Sequence, residues 1–235
     1  MHLLNADLAE GYGQEALLIP FLGSASIACG YHAGSEVLIR ETILHCAAHG
    51  VRVGAHPSFA DRTHFGRRDL SLSADAVYEL VREQLVLFSS IAAACGVRPS
   101  HVKPHGALYN RSASDPHTAA AIARAVKDQD PALVLYGMSG SASIREARRI
   151  GLLTAQEVFA DRSYQDDGSL TPRDRPGALL IDAAAVVQQV RQLLEEGVVT
   201  TQNGLRIPLQ ADTVCLHGDA PHVVSYARAL HEAFP

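Results

Sequence analysis

The sequence predicts an α/β fold, a (β/α)7 barrel, and three observations lead there. Amphipathic stretches repeatedly end at a glycine and give way to a short β-rich run. About seven such strands fit along the chain, which suits a closed parallel barrel. No Gly-x-Gly-x-x-Gly fingerprint follows any of them, which disfavours the dinucleotide type of open sheet. An open doubly wound sheet is the alternative topology.

Taken in order, Val37 to Ala47 has one apolar face, stops at Gly50 and leads into "VRVGAH". Val77, Leu80, Val81, Phe88 and Ile91 recur at helical spacing, stop at Gly96 and lead into "VRPSHVKPH". Ser139 to Ile150 reads as a helix ended by Gly151. Val186, Val187, Val190, Leu193 and Leu194 form a further stripe, ended by Gly197 before "VVT". A glycine just past a helix takes up the left-handed turn that other residues resist. Alternating helices and strands imply parallel strands joined by right-handed crossovers. The expected strands are 2–7, 25–29, 51–55, 101–104, 132–137, 153–158 and 213–217, with weaker signals at 178–181 and 206–210. The polar stretch 57–72 reads as a long loop lining a site. One barrel domain over residues 1–235 is expected.

The chain has 235 residues, 47% hydrophobic and 19% charged, with a net charge of −5, so a basic nucleic-acid face is not expected. Cys29, Cys46, Cys95 and Cys215 are scattered without Cys-x-x-Cys spacing and read as reduced thiols. No apolar run approaches a membrane span of roughly 20 residues. The start "MHLLNADLAEG" lacks a secretory pattern, so the cytoplasm is the expected compartment.

Polar residues collect just after the strands. Asn5, Asp7 and Glu10 follow the first, His32 the second and His56 the third. The fourth gives "HVKPHGALYN", with Lys103, His105 and Tyr109; Lys103 and Lys127 are the only lysines in the chain. A later strand carries Glu157, Asp161 and Arg162, and the last leads to His217 and Asp219. In a parallel barrel all these ends meet at one face, where active sites are built. Any one histidine of this set is more often structural than catalytic, and Asp7 alone would pass for a helix cap. Repetition at the same phase of successive units is what points to a shared pocket. Pro104 keeps Lys103 extended, so His101 and His105 are no helical metal pair. His45 and His49 do have i, i+4 spacing but lie mid-helix, away from the strand ends. Arg67 and Arg68 on the long loop suit carboxylates or phosphates, or are simply solvated. "GMSGSAS" at 137–143 opens a helix that suits an anion, though no Walker motif is present. Cys29 and Cys215 at strand ends are nucleophiles or, more commonly, small buried neighbours of the site.

The blocks "NADLAEGYG", "SASIACGYHAG", "GAHPSF", "FGRRDLSLS", "HVKPHGALYN", "EVFADRSYQDDGSLTPR" and "LHGDAP" resemble, in order and over nearly the whole chain, the signature blocks of the LamB/YcsF family. Ala6, Ala9 and Ser58-Phe59 depart from that family's usual Cys, Gly and Gly-Tyr, while Asn5, Asp7 and Glu10 are kept. The resemblance implies a barrel like that of the glycoside hydrolase/deacetylase fold. It also implies ATP-dependent opening of 5-oxo-L-proline to L-glutamate, with Mg2+, by a multi-subunit 5-oxoprolinase. This chain would be the A component, beside 5-oxoprolinase subunits B and C. On that basis Asp7, Glu10, Lys103, His105 and Glu157 are the expected catalytic residues. Lys103, with Arg162, would meet phosphate charge, and Asp7, Glu10 or His105 would activate water. Arg67 or Arg68 would hold the substrate carboxylate. Asn5, His32, His56, Tyr109, Asp161, His217 and Asp219 complete the expected binding set, with Asp7, His32 and His56 as a candidate metal group. The rival readings are a metal-dependent carbohydrate deacetylase and a non-catalytic component that presents substrate to its partners.

Overall fold

The computed structural model describes residues 3–217 and 222–234. Seven parallel strands form a closed barrel. They are β1 (Leu4–Leu8), β2 (Ser24–Ala28), β3 (Arg52–His56), β4 (His101–Val102), β5 (Val134–Met138), β6 (Leu153–Phe159) and, after a separate hairpin of β7 (Val198–Thr200) and β8 (Arg206–Pro208), β9 (Thr213–Leu216). Closure rests on β1, which pairs with β2 on one side and β9 on the other, so the open-sheet alternative does not hold. The helices are α1 (Glu15–Leu18), α2 (Glu36–Ala48), α3 (Ala74–Ala94), α4 (Gly106–Ser114), α5 (Pro116–Gln129), α6 (Ala142–Arg149), α7 (Ala183–Arg191) and α8 (Val223–Ala233).

Helix ends follow local chemistry. Ser35 and Ser73 cap α2 and α3 by accepting N–H groups of Leu38 and Ala76. Asp115 caps α5, with Pro116 in the first turn. Gly50, Gly96, Gly151 and Gly197 all sit at positive φ just after a helix, as their positions in the sequence predict.

Two expected segments differ. Residues 178–181 form no strand; Leu179 makes only an isolated bridge to Arg162, and Leu179 and Ile181 are exposed, so the apolar run has no second strand to pack into. Residues 206–208 are a strand, but one paired antiparallel with β7 outside the barrel. The i, i+4 histidine pair on α2 is a helix end: the exposed His49 ring bonds the His45 carbonyl through Nδ1 at 3.0 Å. Among the described residues no helix is long and apolar enough to cross a membrane.

The strands alternate strictly. Leu4, Ala6, Leu8, Ala25, Ile27, Val53 and Val102 belong to the apolar core shared with the surrounding helices. The alternate residues face the barrel axis, and many are polar. His101 lies between the Ser26 and Ser100 hydroxyls at 3.3 and 2.9 Å, and stacks on Tyr136 with centroids 4.2 Å apart. Gly54 makes room for that ring: a Cβ there would stand 2.4 Å from His101 Cδ2.

Gly54→Ala is therefore expected to destabilise the protein by about 1–3 kcal/mol through overpacking, and His101→Ala in the same chain to recover most of the loss. Urea unfolding of the two single variants and the double variant measures it. Burial, then the charges of Arg52 and Lys103, push His101 down to about 3. Between that value and the unfolded histidine's 6.5, only the unfolded chain binds this proton, so stability falls as pH falls. His101→Gln should remove up to about 1.4 kcal/mol per pH unit of that slope. Unfolding midpoints of the wild type and the variant, compared between pH 7 and pH 4, give the difference.

Candidate active site

The polar interior ends, toward the C-terminal mouth of the barrel, in a buried charge cluster. Lys103 leaves β4 and is 2% exposed. Its ammonium lies 2.9 Å from Asp7 Oδ1 and 2.8 Å from Glu157 Oε1. It also donates to Asn5 Oδ1 at 3.3 Å and Cys215 Sγ at 3.1 Å. Asn5 in turn donates to Glu157 Oε1 at 3.0 Å and to the Thr213 hydroxyl at 2.8 Å. Burial lowers the Lys103 pKa, but the Asp7 and Glu157 carboxylates outweigh it and hold the pKa well above the usual value. Asp7, against its own burial, is held well below the carboxylate range by His56 and Lys103. Burial, with the Glu157 carboxylate second, pushes the Tyr109 phenol up, so it stays protonated beside the cluster. Cys215 and Cys29 are buried thiols pushed up, Cys29 to about 12, which removes both as thiolate nucleophiles.

A histidine group adjoins the cluster. His56, at the end of β3, donates Nδ1–H to the Lys103 carbonyl at 2.7 Å. His105, after β4, donates Nε2–H to the Phe65 carbonyl at 2.9 Å. The free ring nitrogens, His56 Nε2 and His105 Nδ1, then face each other at 3.0 Å. Glu10 Oε1 stands 3.7 Å from the first and 3.3 Å from the second. His32 reaches the same oxygen at 3.0 Å and stacks on His105, with centroids 3.8 Å apart and planes 5° from parallel. Burial and then the neighbouring His56 push His32 down to about 2; burial, His32 and His56 lower His105 as well. His56 is raised, because Asp7 outweighs its burial.

The loop 57–72 forms the lid of this group. Phe65 and Gly66 both take left-handed φ values, 55° and 62°. A Cβ on Gly66 would press on His32 Cβ at 3.0 Å and His105 Cδ2 at 3.1 Å. One on Gly106 would meet the Gly66 carbonyl at 2.7 Å, so both glycines are required by close approach. Ala9, where the resembling family has glycine, holds φ 60°, a conformation that costs an alanine about 1–2 kcal/mol, directly before Glu10.

A cavity of about 670 Å³ opens above these residues. Asp7, Glu10, His56, Lys103, His105, Tyr109, Arg67, Arg162 and His217 line it, as the strand-end pattern predicts. Asn5 and Glu157 lie beneath its floor, and Asp161 orients His217 by accepting from Nδ1 at 2.9 Å. Arg68 does not reach the cavity; its exposed side chain pairs with Asp61 at 3.5 Å. Asp7, His32 and His56 do not form one metal-sized group: His32 and His56 gather with Glu10 and His105, and Asp7 with Cys215 and His217. Lys103 is also not positioned as a free phosphate cation, since its ammonium is ion-paired with Asp7 and Glu157 and hydrogen-bonded to Asn5 and Cys215. Asp219 lies outside the described residues.

Strand-end reasoning misses one wall. Met138 to Ser141, Arg145 and Ser169 to Arg173 line the cavity. Among the described residues, the buried Ser141 hydroxyl, at the N-cap of α6, has no hydrogen-bond partner, and so remains able to bond a bound anion. The signal was the small hydroxyl-rich "GMSGSAS". Phe159 was missed as well; its ring stacks on His217 at 5.5 Å and lies 5.8 Å from Lys103 Nζ.

Removing Lys103 leaves Asp7 and Glu157 facing each other in the interior. Lys103→Met should cost about 3–5 kcal/mol. Adding Glu157→Gln should return a substantial part of that stability but none of the lost turnover. Denaturation curves and turnover of the two variants separate these effects.

The chain matches the family model described as the LamB/YcsF family over residues 3–235. It is 46% identical over 235 residues to a Bordetella pertussis protein named as the A subunit of 5-oxoprolinase, covering 98% of this chain and 93% of that protein. A Shouchella clausii protein of the same name is 47% identical over 232 residues, covering 97% and 92%. The crystal structure of a lactam utilization protein from Thermus thermophilus superposes with a TM-score of 0.91 at 41% identity, covering 98% of this chain and 94% of that one. With the barrel, the strand-end residues and these relatives in agreement, this chain belongs to the LamB/YcsF family.

Proposed function

We propose that this chain is the A component of a 5-oxoprolinase, which opens the ring of 5-oxo-L-proline to L-glutamate at the expense of ATP, in the cytoplasm and together with subunits B and C. The names of its relatives support the substrate class. The observation that carries the chemistry is the cavity itself: a floor of Asp7 and Lys103 with Glu157 beneath it, a histidine wall at His56 and His105, and an opposite wall with Ser141 and arginines.

A lactam carbonyl is a poor electrophile, and phosphorylation of its oxygen converts that oxygen into a leaving group. In this reading the amide oxygen takes the γ-phosphoryl group of ATP, with Mg2+, and ADP departs. Water then adds to the ring carbon, the C–N bond breaks with a proton going to nitrogen, and a second water hydrolyses the acyl phosphate to glutamate and phosphate. His105, kept neutral by burial, and the Asp7 and Glu10 carboxylates are the proton acceptors nearest the water side. Tyr109, held protonated, and Lys103 are the donors at the floor. Arg67, Arg162 and Ser141 face the anionic groups of substrate and phosphate donor. The cavity exceeds the needs of a five-membered lactam and leaves room for the phosphoryl end of a nucleotide.

Glutamate release from 5-oxoproline tests this, with Mg·ATP present or omitted, by the chain alone and then with subunits B and C. The expected result is ATP-dependent glutamate from the full mixture only. A folded complex that releases no glutamate overturns the proposal.

A further inference from the structure

We infer that Glu10, His56 and His105 form a binding site for one divalent transition ion of the zinc class, with an open coordination position toward the cavity. This inference stands on the side chains alone and does not depend on the lactam reading; a bound ion occupies the His105 lone pair and the Glu10 oxygen and leaves Asp7 as the proton acceptor of that reading.

The tautomers are set by the backbone. His56 gives its Nδ1–H to the Lys103 carbonyl and His105 its Nε2–H to the Phe65 carbonyl, at 2.7 and 2.9 Å. A metal-binding histidine almost always donates its other ring N–H in this way, which fixes the ring and raises its basicity. The two remaining nitrogens present lone pairs to each other at 3.0 Å, and Glu10 Oε1 faces both at 3.7 and 3.3 Å. With His56 neutral, the two nitrogen lone pairs repel unless a cation lies between them. A proton on His56 Nε2, which Asp7 Oδ2 at 3.4 Å favours, bridges only one pair, whereas a metal ion joins both nitrogens and Glu10 Oε1, the oxygen that also accepts from His32.

The spacing fits. Ligands about 2.0–2.1 Å from a tetrahedral ion stand about 3.3 Å apart, which lies within the observed 3.0–3.7 Å. The His56 and His105 rings are 81° apart, so the two ring planes intersect and one ion can lie in both. His32 is close enough to belong, but its ring is 5° from parallel with His105 at 3.8 Å, and one ion cannot lie in both of those planes. His32 is instead a positioning residue, its Nε2–H directed at Glu10 Oε1 at 3.0 Å. Three protein ligands and a fourth position facing the cavity is the arrangement of a catalytic rather than a structural ion, since Glu10, His56 and His105 all line the cavity. Two nitrogens and one carboxylate oxygen favour zinc-class ions over the all-oxygen sites of calcium or magnesium.

The full chain, stripped with a chelator, is titrated with Zn2+ by calorimetry and with Co2+ by visible absorption. A single equivalent of Zn2+ with micromolar or tighter affinity is expected, and intense four-coordinate Co2+ bands. His56→Gln and His105→Gln, shown folded by circular dichroism, should each weaken Zn2+ binding by more than about 100-fold, and His32→Gln by about tenfold. Should either ligand variant not fold, Glu10→Gln carries the same expectation. Binding by a His45→Ala/His49→Ala variant should equal that of the wild type. No binding by the folded wild type, or binding that survives the ligand variants or disappears with the His45/His49 pair, overturns the inference.

Discussion

The ion cluster of Lys103 with Asp7 and Glu157 is the constraint around which the rest of the barrel interior is arranged. An ammonium and two carboxylates taken out of water each lose several kcal/mol of hydration, and only close mutual contact with further hydrogen bonds offsets this. The strands supply those contacts. Asn5 from β1 reaches both Lys103 and Glu157, and Thr213 from β9 anchors Asn5. Because the partners sit on β1, β4, β6 and β9, the cluster also ties together strands distant in sequence. Backbone pairing of β1 with β2 and β9 closes the barrel, and the closed barrel brings these partners to one point.

The second constraint is the dense packing of the histidine group. His32, His56 and His105 are held by stacking, by two backbone carbonyls and by the Glu10 carboxylate. The lid can approach them only because Gly66 and Gly106 lack a Cβ. Burial keeps His32 and His105 neutral while Asp7 favours the charged form of His56, so three similar side chains have different proton affinities. Such separation is what a site needs to hold a donor and an acceptor together at one pH.

Much of this was legible in the chain. The glycine stops and the apolar periodicity located the barrel strands to within a few residues. The inward polar alternation of "NAD", "SAS" and "HVK" stands in plain view in the sequence. The segment 178–181 misled because a short apolar run suits a strand or an irregular segment equally, and here Leu179 and Ile181 are exposed. Arg68 could not be told from Arg67, since adjacent residues on an irregular loop have no periodicity to assign their directions. The wall at Ser141 was readable as an anion-friendly helix start, but not as part of the same cavity.

By itself the sequence determined the repeating βα order, the strand-end placement of the polar residues and, through its ordered blocks, the family. These depend on local propensity and on chain order, which one dimension carries. Tertiary structure decided that β1 closes on β9, that Lys103 is held between two carboxylates rather than left free for phosphate, and that His56 and His105 turn their lone pairs toward Glu10. Those outcomes depend on distances between residues dozens to more than a hundred positions apart, and on which backbone carbonyl each imidazole meets. Only the folded chain fixes them.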